Sequence, residues 1–203
     1  MLTKRSSVND EPNPSSFAIA TSANKLRDHN SSIAQFVNAH PFPCSVDEVF
    51  SLAISLQYYI GNLYLEMADI CHEPQKTEYL DIALQQLENK KTIENNCNDY
   101  LNELMDYFYK TGGPIMDDRV SELQSKEIQA FFQRILTNLL THFDILVDMS
   151  FNGSLSLEQM QTEVNYYTLH SYASWGKLYR NVKIQRAFNE LMNTIPRCIV
   201  AMA

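Results

Sequence analysis

The stretch Ser45–His72 (SVDEVFSLAISLQYYIGNLYLEMADICH) constrains the fold more than any other part of the chain. Its apolar side chains recur every three to four residues, the period of an α-helix. One stripe runs Val49, Leu52, Leu56, Ile60 (or Tyr59), Leu63, Met67 and Ile70, and a second runs Ala53, Ile60, Tyr64, Met67 and Cys71. A helix with so wide an apolar face has to touch at least two neighbours, which puts it at the centre of a helical assembly. One polar side chain, Gln57, lies inside that face. Ser45 and Glu48 have the spacing of a capping box, and Asp47 and Glu48 sit where acids suit the helix dipole.

The rest of the chain reads as helix in the same way, with few glycines and long runs without proline. Residues 1–40 are predicted to be a flexible N-terminal tail, because their Ser, Asn, Asp and Pro content offers little apolar surface to offset ordering. Within the tail a short helix is predicted over 31–38, laying Ile33, Phe36 and Val37 on the body. Pro41 and Pro43 then open the main domain, 41–203. Beyond Glu73-Pro74 a second long helix runs from about Lys76 to Lys110, with the stripe Tyr79, Ala83, Leu87 (or Gln86), Ile93, Cys97, Leu101, Leu104 and Phe108. Thr111-Gly112-Gly113-Pro114 breaks the chain. A third helix is predicted from about Asp117 to Ser150, with the inward stripe Ile128, Phe131, Ile135, Leu139 (or Asn138), His142, Ile145 and Met149. Asn152-Gly153 is a turn. Ser156 and Gln159 then form a second capping box, opening a helix to about Tyr179 whose inward candidates are Met160, Glu163, Tyr167, His170, Ser174 and Leu178. A short helix over Ile184–Ile195 follows. The predicted fold class is all-α: an antiparallel four-helix bundle with a short extra C-terminal helix and a flexible N-terminal tail.

Composition excludes several functions. A net charge of −8 argues against a nucleic-acid partner, which requires a basic face. The basic run Lys177–Arg186 reads as a solvated helix end. No apolar run reaches membrane-spanning length, and Phe17–Ala23 is too short and polar for a signal-peptide core. Cys44, Cys71, Cys97 and Cys198 are widely spaced, without C-x-x-C, and read as reduced thiols of a cytoplasmic protein. No Gly-rich phosphate loop and no G-x-S-x-G elbow is present.

The first long helix resembles that of rubrerythrin-type ferritin-like proteins. In that family the motif is close to A-I-x-x-E followed seven residues later by Tyr, and here Ala53-Ile54-Ser55-Leu56-Gln57 leads to Tyr64, then Met67-Ala68. Gln57 stands where the family has its Glu ligand. The family's second helix carries an E-x-x-H pair after an F-x-x-[LI]-A run. Here Tyr79-Leu80-Asp81-Ile82-Ala83 leads to Gln86 and Asn89, and a one-turn slip offers Glu88 and Lys91. The resemblance covers roughly residues 45–110. In the second half Asn138 shares a helix face with His142, and Glu163 with His170, but no E-x-x-H occurs. The resemblance implies a di-iron site at these positions. The residues present do not fit one, because such a site needs about four anionic oxygens and two imidazoles. Gln57, Gln86, Asn89 and Asn138 are neutral, and the expectation is a bundle that has lost its metals, with no cofactor.

Three functional readings follow. The first is a non-catalytic ferritin-like bundle acting through protein or small-ligand contacts, as a homodimer through apolar helix faces. The second is a divergent iron or manganese oxidoreductase using His142, Glu163, His170 and Glu88. The third is a regulatory or adaptor domain unrelated to ferritins, with the tail as its partner-binding segment. The aromatic ridge Tyr172, Trp175 and Tyr179 fits either a core or an exposed partner patch.

Overall fold

The computed structural model describes residues 29–111 and 126–196. The tail before residue 29, the Gly112-Gly113-Pro114 break, the expected helix start at Asp117, Cys198 and the C-terminal apolar residues lie outside the described residues. So do the side chains of Leu104 and Phe108. What is described is all-α, without a strand. The helices are α1 (His29–Ala39), α2 (Val46–Ile70), α3 (Gln75–Thr111), α4 (Lys126–Phe151), α5 (Leu157–Gly176) and α6 (Val182–Thr194).

The central position expected of the first long helix is realised by α2, which packs along α3 and against α6. Its buried residues include both stripes, from Val49 and Leu52 to Tyr64 and Met67. Its start differs from expectation. Ser45 is the N-cap residue, but its side chain makes no capping bond. Glu48 instead accepts the backbone N–H of Cys44 at 2.6 Å, so only the carboxylate half of a capping arrangement forms, one residue early.

The chain reverses into α3, and the two helices run antiparallel. The rings of Tyr64 and Tyr79 lie 6.4 Å apart near the turn, and those of Phe50 and Tyr100 lie 6.5 Å apart at the far end. At Gly61 the two helices lie at ordinary contact distance, since a Cβ there would lie 3.7 Å from Gln86 Cβ. On α3 the structure selects Gln86 rather than Leu87 for the buried face, and Leu87 and Leu101 are exposed. In the polar middle of α3 Ile93 is the buried residue, with Cys97 half-buried.

The turn between α4 and α5 is closed on both sides. Gly153 adopts φ 69°, the left-handed conformation that a helix C-terminus of this kind requires. Ser154 N–H then donates to Met149 O and Gly153 N–H to Ser150 O, which satisfies two terminal carbonyls. The capping box at Ser156 and Gln159 forms as the spacing predicts, with bonds of 3.2 and 2.9 Å. Asn181 caps α6 through Lys183 N–H and Ile184 N–H. The short helix expected over 31–38 is α1, which docks on α4. Its Ile33 is buried, and Gln133 Nε2 donates to His40 O at 3.1 Å.

On α4 and α5 the core is centred one step round from the stripe the sequence favours: Leu139 and Met160 are buried as expected, but most of the other buried positions lie beside the predicted ones. The buried residues of α4 are Phe132, Leu136, Leu139, Leu140, Phe143, Leu146 and Val147, whereas Phe131, Ile145 and Met149 are exposed. On α5 the buried residues are Met160, Val164, Asn165, Thr168, Ser171, Tyr172 and Trp175, and His170 is exposed. Both helices carry two adjacent stripes. Periodicity cannot choose between them, because the choice lies with the residues that arrive from other helices.

Those residues form an aromatic cluster at the end where α2 begins. Phe42, held between Pro41 and Pro43, stacks on Tyr179 at 4.8 Å and meets Phe132 edge-on at 5.4 Å. Phe132 meets Trp175 at 5.0 Å, and Trp175 Nε1–H donates to Phe132 O at 3.4 Å. Phe188 of α6 lies 5.7–6.2 Å from Tyr179, Trp175 and Tyr172. The ridge Tyr172, Trp175, Tyr179 is therefore core. Burying each such ring is worth about 1.5–3 kcal/mol.

Candidate functional site

The polar side chains that α2 and α3 carry inward meet near the middle of the molecule. Gln57 is 2% exposed and Gln86 3%. Gly61, one turn beyond Gln57, is the surface on which Gln86 packs, so both amides belong to the same α2–α3 seam. From α5, Tyr172 reaches the amide of Gln57, and its hydroxyl is completely buried. Asn165, Thr168 and Ser171 of α5 are buried as well. Thr168 satisfies its hydroxyl on its own helix by donating to Val164 O at 2.7 Å.

Gln57 and Tyr172 face each other without completing a hydrogen bond. The amide attracts the phenol, yet Gln57 Oε1 and the Tyr172 hydroxyl each lack a partner within bonding geometry. Burial holds the Tyr172 phenol well above its ordinary pKa, and the nearby Gln57 amide offsets part of that rise. A buried polar atom left without a partner is destabilising by about 1–3 kcal/mol.

A second phenol, that of the half-buried Tyr59, links α2 to α4. Burial first, then the carboxylates of Asp144 and Glu66, raise the Tyr59 pKa. At the opposite end of the molecule from the aromatic cluster, Tyr79 and Ser150 share a hydrogen bond of 2.9 Å. They line a cleft of about 560 Å³ together with Cys71, Glu78, Leu155 and Glu158. Burial raises the Cys71 thiol pKa, which keeps it a poor nucleophile.

The structure separates the residues that the sequence groups. Asn89 is half-buried beside Gln86 on α3, but Asn138 is exposed on α4. His142 is half-buried, and its ring lies 3.7 Å from that of Tyr167. Glu163 is half-buried, while Glu88 and His170 are exposed. His170 lies beside Tyr166, at 6.3 Å between rings. Among the described residues no group of three or more His, Cys, Asp or Glu side chains is placed to hold a metal ion. Cys44, Cys71 and Cys97 are free thiols. No described helix is long and apolar enough to cross a membrane.

Sequence reasoning missed Tyr172 as the partner of Gln57. The signal available was weak: Tyr172 is one of three aromatic residues in a ridge, and nothing local marks its hydroxyl as the one facing an amide. No family model, curated protein or solved structure matches the chain.

Proposed function

We propose that the chain is an antiparallel four-helix bundle of ferritin-like layout that works without catalysis, through protein or small-ligand contacts, as a homodimer in the cytoplasm. One observation carries the reading. Where a ferritin-like bundle gathers its carboxylates, this interior holds the amides Gln57 and Gln86 and the neutral phenol of Tyr172. Neutral oxygens do not balance the charge of two multivalent cations, and a phenol held in its protonated form supplies no anionic ligand. The directions of the helices support the layout. α2 and α3 are antiparallel, the α4–α5 turn is tight, and Gln161 of α5 donates to Gln85 of α3 at 3.1 Å.

The test is elemental analysis of the purified protein, followed by titration with ferrous iron and with manganese. The expected outcome is no stoichiometric binding of either. Iron or manganese bound at one or two equivalents, and lost on His142→Ala or Glu163→Ala, overturns the reading in favour of a metal oxidoreductase.

A further inference from the structure

The second apolar stripe of α4 is only partly spent on the core: Ile128 and Ile135 pack against its edge, while Phe131, Ile145 and Met149 stay exposed. Ile128, Phe131, Ile135, Asn138, His142, Ile145 and Met149 are spaced alternately by three and four residues, the heptad seam of a coiled coil. Phe131, Ile145 and Met149 are 42%, 47% and 38% exposed. Ile128, Ile135 and His142 are half-buried and Asn138 is exposed. The apolar surface continues onto α5. Tyr167 lies against His142, and Tyr166, 5.3 Å from Tyr167, is more than half exposed. Exposed large apolar side chains repeated at heptad spacing along a surface helix mark an interaction site.

We propose that this seam is the interface between two copies of the chain, which pair α4 against α4 in antiparallel orientation about a two-fold axis at the level of Leu140. The proposal deepens the homodimer reading by naming the face. Its support is self-complementarity. The stripe is symmetric about residue 140, so Phe131 of one copy meets Met149 of the other, Ile135 meets Ile145, and Asn138 meets His142. Each layer joins the two kinds of seam position, as antiparallel packing requires, and an isologous interface repeats every contact twice. The Asn138–His142 layers place donors opposite acceptors next to the axis, and a polar layer within an apolar seam sets register.

The flanking charges agree. Arg134, Thr141 and Asp148 are exposed at the positions that border the seam on its open side. The same symmetry brings Arg134 of one copy within about 3 Å of the level of Asp148 of the other, forming two ion pairs across the axis. The guanidinium of Arg134 already lies over the Phe131 ring, 4.8 Å from its centroid, which holds it along the seam.

Sedimentation velocity of the full chain at micromolar concentration tests the pairing, with expected dimers that become monomers in Ile145→Glu while helical circular dichroism is unchanged. Arg134→Asp weakens the dimer about tenfold, and adding Asp148→Arg restores it. Orientation is read by oxidation. Thr141→Cys joins two chains because the residue lies next to the axis. Asp148→Cys does not, since the two copies of that position lie about 24 Å apart along the helices. A monomeric wild-type chain overturns the proposal, as does a seam covered by the chain's own terminal residues. Cross-linking through Asp148→Cys overturns the antiparallel register. A dimer that survives Ile145→Glu overturns this face but leaves the homodimer reading standing.

Discussion

Replacing Gln57 with leucine is expected to stabilise this protein, although it changes a residue at the centre of the fold. The side chain is 2% exposed, and its Oε1 has no partner. A buried acceptor left without a bond costs about 1–3 kcal/mol, and removing it recovers that amount. Leucine has a similar volume, so little cavity forms, but its branch does not follow the amide's shape, and such swaps cost up to about 1.5 kcal/mol. The net expectation is a gain of about 1 kcal/mol, which for a chain of this length raises Tm by roughly 2–4 °C. The assay is urea unfolding followed through Trp175, the chain's single tryptophan, which is fully buried beside Tyr172. A double-mutant cycle with Tyr172→Phe locates the effect. Because the two groups do not complete a hydrogen bond, their coupling is expected below about 0.5 kcal/mol. A loss of more than about 1 kcal/mol in Gln57→Leu, with strong coupling to Tyr172→Phe, would refute the reasoning. It would mean that the pair is satisfied together, by an ordered water or by a ligand seated between them.

Gly61→Ala probes the α2–α3 seam. The added Cβ meets Gln86 Cβ at 3.7 Å and Ala83 O at 3.8 Å, ordinary contact distances. The gain in helix propensity therefore remains, and thermal melting should show a stabilisation of about 0.5–1 kcal/mol; a loss would show that the helices need closer contact there. Stability should also fall in alkali. Burial, the largest cause in each case, raises the pKa of Tyr59, Tyr172 and Tyr179 above the ordinary value of 10.0. The fold thus favours the neutral phenol. Its contribution is complete below pH 10 and is lost as the pH rises from there towards the folded-state pKa values. Urea midpoints should stay level from pH 8 to about pH 10 and then drop, and a midpoint that stays level through about pH 11 counts against these burials.

How much of this was legible in the chain itself differs from helix to helix. The helical period and the turn and cap between α4 and α5 are local, and local chemistry placed them well. The apolar stripes of Ser45–His72 marked α2 as the central helix, since both of them are buried. Gly153 and the Ser156–Gln159 box marked the α4–α5 turn, because a left-handed backbone and an unsatisfied helix start are needs that the adjacent residues meet. At Ser45 the same spacing misled by one position, since Glu48 found the N–H of Cys44 instead. Which face of α4 and α5 turns inward was decided by tertiary structure alone. Phe132 is core because Phe42 and Trp175 arrive from distant parts of the chain, and Phe131, its neighbour with the same apolar character, is exposed. The candidate site divides in the same way. Gln57 was conspicuous as a lone amide in an apolar stripe, whereas Asn138 is turned outward and His142 is half-buried against Tyr167. The sequence by itself determined that this chain is helical, where most of its helices begin and end, and which of them is central. Only the tertiary structure decided that Tyr172 is the residue opposite Gln57, and that Phe131, Ile145 and Met149 of α4 are left facing outward, because such pairings depend on residues far apart in the chain.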